Sequence, residues 1–117
     1  MGEKSNRALI LTENQNIALR SLKNELMKKF ILSKMIIFGS TPRGEADEES
    51  DLDVLVLLNQ TVSHKTKHEI YSIVTHVNLD HNVNIHLLII DKKQWESKRF
   101  SALPLRFEVE TDGVVFK

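Results

Sequence analysis

The sequence predicts an α/β (α+β) architecture, a small mixed sheet of three to four strands flanked by helices, and three observations carry this reading. Short apolar runs, Met35–Phe38, Val54–Leu58 and Val83–Ile90, alternate with amphipathic stretches of helical period. The connection between the first two runs is short and polar, whereas the one between the second and third is long enough for a helical crossover. The composition is that of an ordinary globular domain, 41% hydrophobic and 27% charged over 117 residues. The expected element order is α-β-β-α-β-α-α, with residues 1–117 forming one domain and residues 1–11 a flexible N-terminal extension.

Each element has a local cause. Thr12 followed by Gln15 forms a capping-box pattern, in which each side chain satisfies the other's free backbone N–H. Leu19, Leu22, Leu26 and Phe30 then recur on one face, so the first helix is expected over 13–30. Met35 to Phe38 is an apolar strand stopped by Gly39. Residues 40–50, polar and holding Pro42 and Gly44, read as a loop. Val54 to Leu58 is continuously apolar, as a central strand covered on both faces should be. Ser63 caps a second helix with the stripe Ile70, Ile73, Val74 and Val77. Val83 to Ile90 is the third strand. Asp91 with Gln94 repeats the capping pattern before Trp95. Pro104 suits the first turn of a last helix, and Gly113 suits its C-terminal cap before Val114, Val115 and Phe116.

Composition excludes several classes. Lys plus Arg and Asp plus Glu are both 16, so the cationic excess needed for non-specific nucleic-acid binding is missing. There is no cysteine, which removes disulfide scaffolds, thiolate zinc sites and cysteine nucleophiles. No apolar run is long enough to span a bilayer, so no membrane contact is expected. The polar N-terminus reads as no secretory signal, and a cytoplasmic location is the expectation.

The chemistry-bearing residues gather at one sheet edge. With the first two strands antiparallel, Gly39 and Ser40 lie beside Asp51, Leu52 and Asp53. The two acids differ by two positions and share a face, with α-carbons about 6.6 Å apart. Like charges at that spacing repel by about 2.5 kcal/mol at an effective dielectric of 20. A divalent cation reverses the sign, and carboxylates on one rigid strand suit Mg²⁺ that also holds substrate phosphates. Gly39 permits close approach, and Ser40 supplies a hydroxyl and N–H groups for phosphate. The helical crossover makes the third strand parallel to the second. Its beginning, with Asn84 and His86, therefore completes the site, whereas Asp91 lies at the far end.

Gly39-Ser40, ten residues, then Asp51-Leu52-Asp53, with apolar strands on both sides, resembles the signature of the DNA polymerase β-like nucleotidyltransferase superfamily. Arg43-Gly44 in the loop and the small size resemble its minimal nucleotidyltransferases. The resemblance implies the nucleotidyltransferase fold and Mg²⁺-dependent transfer of a nucleoside monophosphate, AMP from ATP, to an acceptor hydroxyl. By position, Asp51 and Asp53 would bind metal, Gly39 and Ser40 would hold the triphosphate, and Arg43 would neutralise phosphate charge. Active relatives usually carry a third carboxylate on the following strand; here His86, with Asn84 second, takes that place. The resemblance further implies a small all-helical partner of the HEPN type, as in toxin–antitoxin pairs, on which a member with a weakened site would act by binding. A second subunit is a further source of the acceptor platform, so a homodimer also fits a domain of this size.

Plainer readings stand beside these. The acids Glu45 to Glu49 suit a solvated loop, and no glycine follows as an EF-hand requires. His64 and His68 share a helix face but lack a third ligand, so an exposed face is expected. Trp95 suits a core or partner-facing position. Ser40 is also a helix cap, and Arg43 equally a partner of a loop carboxylate. His86 stands between an ordinary half-buried histidine and a catalytic one.

Overall fold

The computed structural model describes residues 11–39 and 51–117. The long helices come first in the chain's logic: α1 (Glu13–Lys29), then, beyond the first two strands, α2 (His64–His81). The capping box at Thr12 is formed, with Gln15 N–H donating to Thr12 Oγ1 at 3.1 Å and Thr12 N–H to Gln15 Oε1 at 2.9 Å. Gln15 is consequently buried without an orphaned amide. Ser63 caps α2 by accepting from the Thr66 N–H. Asn82 ends α2 in a left-handed conformation, φ 55°. The third strand therefore starts at Ile85 rather than Val83, because the chain is still leaving the helix cap there.

Four strands, β1 (Leu32–Phe38), β2 (Leu52–Leu58), β3 (Ile85–Asp91) and β4 (Val114–Val115), form one sheet in the order β3-β2-β1-β4. β1 is antiparallel to β2, with Phe38 opposite Asp53, and its register shifts between Leu32 and Lys34. β3 runs parallel to β2 across the α2 crossover, with Asp53 opposite His86. β4 adds to the outer side of β1, opposite Ile36 and Ile37. The expected mixed sheet is thus observed, with four strands among the described residues.

Alternation along the strands gives the sheet two unlike faces. Leu52, Val54, Val56, Ile85 and Ile89 pack with Met35 and Ile37 under α1 and α2. Leu55, Leu57, Ile36 and Ile90 face the other way, against Trp95 and Val109. Three short helices cover that second face: α3 (Lys92–Trp95), α4 (Lys98–Ser101) and α5 (Pro104–Asp112). The Asp91 cap is a local turn, its carboxylate accepting from the Lys93 N–H at 2.9 Å, and α3 ends after four residues. Trp95 is a core residue, as one of the two expectations had it. Arg106 lies over its ring, 5.3 Å from the centroid, and is held by Glu110 at 2.7 Å.

Gly113 caps α5 in an extended conformation, φ −70°, so its role is not the usual left-handed turn. A Cβ there would stand 2.4 Å from the Val109 carbonyl oxygen and 2.7 Å from Ile36 Cγ2, and closeness is what selects glycine. Among the described residues, no helix is long and apolar enough to cross a membrane. Of the N-terminal extension expected over 1–11, only Leu11 is described; it packs against the α1–α2 core.

Candidate active site

The second sheet face changes character along its length. Its far end is roofed by α3, α4 and α5, but the rows containing Leu55 and Leu88 continue to Asp53 and His86 at the end where the Gly39 turn meets Asp53. Polar residues on an apolar face require solvent or a ligand, and this end supplies it: the Asp51 and His86 side chains are 57% and 56% exposed. Asp53 is half-buried. Leu52, between the two acids, points to the opposite face and is fully buried, anchoring both.

Three elements converge here. Gly39, directly after β1, adopts φ +85°, a conformation open to glycine at little cost. The turn presses it against the neighbouring strand, since a Cβ at Gly39 would lie 2.7 Å from Asp53 Oδ2. Just ahead of β3, the Asn84 amide donates to Asp51 Oδ1 at 2.5 Å, and within β3 His86 Nε2 lies 3.5 Å from Asp51 Oδ2. The backbone adds a further tie, Leu52 N–H donating to the Asn84 carbonyl at 2.9 Å.

Gly39, Asp51, Asp53 and His86, expected from sequence to lie together, are therefore juxtaposed. Ser40 and Arg43, and the loop reading of 40–50, lie outside the described residues. Asn84 stood second for the place of a third carboxylate; what sequence reasoning missed is its bond to Asp51. The only signal for it was its position two residues before His86, which strand alternation would place on the same side. His64 and His68 are exposed on α2, as expected of a solvated face.

The donor set is what a hard cation needs. Among the described residues, no group of three or more His, Cys, Asp or Glu side chains is placed to hold a metal by itself. Mg²⁺ bound with a nucleotide takes one or two carboxylates and fills its remaining positions with phosphate oxygens and water. Asp51 and Asp53, with the side-chain-free cradle of Gly39 against Asp53 Oδ2, fit that requirement. Gly39→Ala is expected to cost about 1–2 kcal/mol from the positive φ and to displace the Asp53 carboxylate. The melting temperature should fall by about 5 °C or more and nucleotide affinity with it. An unchanged melting temperature and affinity would show that the turn and Asp53 are not in contact.

Comparison with known proteins decides the family. The model of the nucleotidyltransferase domain matches residues 19–106, well over half of the chain. The chain belongs to the nucleotidyltransferase domain family. Two named relatives resemble parts of it. A putative protein adenylyltransferase of Methanocaldococcus jannaschii is 39% identical over 61 residues, 52% of this chain and 62% of the relative. The protein adenylyltransferase MntA of Thermococcus cleftensis is 41% identical over 49 residues, 42% of this chain and 50% of the relative. Both matches thus span less than two thirds of the relative's own length.

A solved structure described as a toxin–antitoxin with AMP-PNP has the same fold. It superposes with a TM-score of 0.57 over 86% of this nucleotidyltransferase chain and 70% of its own, at 20% identity.

Proposed function

We propose that this nucleotidyltransferase is Mg²⁺-dependent and moves AMP from ATP to a hydroxyl group on a partner protein. The observation that carries the reading is the juxtaposition of Asp53, the Gly39 turn and Asp51 at the open end of the sheet face. Names of the relatives support the acceptor class, since both are called protein adenylyltransferases. The solved neighbour, a toxin–antitoxin with AMP-PNP, supports an adenine nucleotide and a protein partner.

In this reading Asp51 and Asp53 hold the cation, which when bound neutralises the triphosphate and stabilises the attacking and leaving oxygens. Gly39 lets the phosphates approach the main chain, with Ser40 and Arg43 as further triphosphate contacts. A bond forms between the acceptor oxygen and the α-phosphorus while the bond to the bridging oxygen breaks, releasing pyrophosphate. The His86 imidazole takes the acceptor's proton. A cytoplasmic location, where ATP and Mg²⁺ are abundant, agrees with this chemistry.

Incubation with α-labelled ATP, Mg²⁺ and the product of the adjacent gene is the direct test, and label on that protein is expected. A second reading has its own observation: the start of β3 offers His86, with Asn84 just before the strand, where active relatives carry a third carboxylate. The chain would then bind nucleotide and a helical HEPN-type partner as an antitoxin without efficient transfer. Label on neither protein, with ATP binding intact, would favour it. Under the first reading, His86→Asp should raise transfer about tenfold, corresponding to about 1.4 kcal/mol of added transition-state stabilisation. An equal or lower rate would count against position 86 as the place of the third metal ligand.

A further inference from the structure

We propose that Asn84 is a positioning residue of this site, its amide holding the Asp51 carboxylate in the orientation from which it meets the magnesium–nucleotide. The inference rests on the reading above and deepens it. The bond from Nδ2 to Asp51 Oδ1, 2.5 Å long, has only one chemically sensible direction, because an ionised carboxylate accepts and the amide nitrogen donates. Asp51 stands just before β2 and is mostly exposed, so its own strand does little to choose its rotamer. The Asn84 amide, fixed just ahead of the adjacent strand, contributes a directed donor to that choice.

Asn84 can do so because its own place is fixed from both sides. Its carbonyl accepts the Leu52 N–H at 2.9 Å, which ties it to the residue following Asp51. Next to it, Ile85 is clamped by Asn78 of α2, whose Oδ1 accepts the Ile85 N–H at 2.9 Å and whose Nδ2 donates to the Ile85 carbonyl at 3.1 Å. The start of β3 is thus anchored to both β2 and α2. His86 flanks the other Asp51 oxygen at the longer distance of 3.5 Å.

The residue type matters as much as the contact. A carboxylate has about four acceptor positions, so accepting the Asn84 amide does not by itself fill them. A lysine or arginine at position 84 would neutralise Asp51 and compete with Mg²⁺. An aspartate would repel it whenever the cation is absent. Asparagine fixes the carboxylate without altering the charge the cation meets.

The test is calorimetric titration of the whole chain with a non-hydrolysable ATP analogue at a series of Mg²⁺ concentrations, together with melting temperatures. Asn84→Ala is expected to raise the Mg²⁺ concentration for half-maximal nucleotide binding about tenfold or more, the scale of one lost charge-assisted hydrogen bond, with the melting temperature near that of the parent. A lowered melting temperature with an unmoved Mg²⁺ midpoint would show a merely structural role and overturn the proposal. Asn84→Asp keeps the shape if the alanine variant does not fold. Its melting temperature should fall without divalent cation and recover with Mg²⁺; parent-like values in both conditions would count against the bond. Asp53→Asn separates the two levels of inference. If it binds nucleotide as the parent does, the site itself is misassigned. If it loses binding while Asn84→Ala keeps the parent midpoint, only the positioning role fails.

Discussion

Asp53→Asn and Asp51→Asn are each expected to abolish Mg²⁺-dependent nucleotide binding and to reduce transfer by about a thousandfold or more. The magnitude follows from the several kcal/mol of charge stabilisation a cation provides at a phosphoryl group, each 1.36 kcal/mol being about tenfold in rate. The fold should survive both changes. Asn is nearly isosteric with Asp, and removing one of two like charges relieves repulsion that solvent already screens at the exposed Asp51. Without divalent cation, melting temperatures should equal or exceed that of the parent. Asp53→Asn should be the more severe, because Asp53 is the carboxylate held against the Gly39 turn. Calorimetry with ATP and Mg²⁺ checks binding, and labelled transfer checks rate; binding at parent strength in both variants would end the metal assignment.

Leu52→Ala should have the largest effect on stability. Leu52 is completely buried and packs under α1 and α2, yet its backbone neighbours are the two site acids. Truncation of such a leucine costs about 2–5 kcal/mol, against a total domain stability of about 5–15 kcal/mol. The start of β2 would lose its anchor on the helical face. Nucleotide affinity should therefore fall even at temperatures where the variant remains folded. Urea denaturation measures the first effect and calorimetry the second. A loss below about 1 kcal/mol would mean that Leu52 does not hold the strand end as described.

Residues that later share the site were legible because strand geometry is nearly arithmetic. Alternation placed Asp51 and Asp53 on one face, and the short connection before them demanded an antiparallel neighbour ending at Gly39. The α2 crossover demanded a parallel third strand beginning at Asn84 and His86. The observed pairs Phe38–Asp53 and Asp53–His86 have those directions. Element ends were less legible. The capping pattern at Asp91 started a helix that lasts only four residues, since a cap satisfies local N–H groups but does not supply the apolar face that sustains a helix. Gly113 ended α5, as its type suggested, for a different reason: crowding by Val109 and Ile36 rather than a positive φ.

By itself, then, the chain's order of apolar runs, caps and polar breaks determined the sheet, its strand directions and which end of it carries the acids. Those are properties of short segments, governed by periodicity and by the length of chain available for each connection. The tertiary structure alone decided that Asn84 holds Asp51, that Gly39 lies against Asp53 and that β4 extends the edge of β1. It also decided that, among the described residues, the short helices cover the far end of the second face, while Asp51 and His86 stay mostly exposed. Each of these depends on how side chains from distant segments meet within a few ångströms, a distance that packing sets and that no sequence interval encodes.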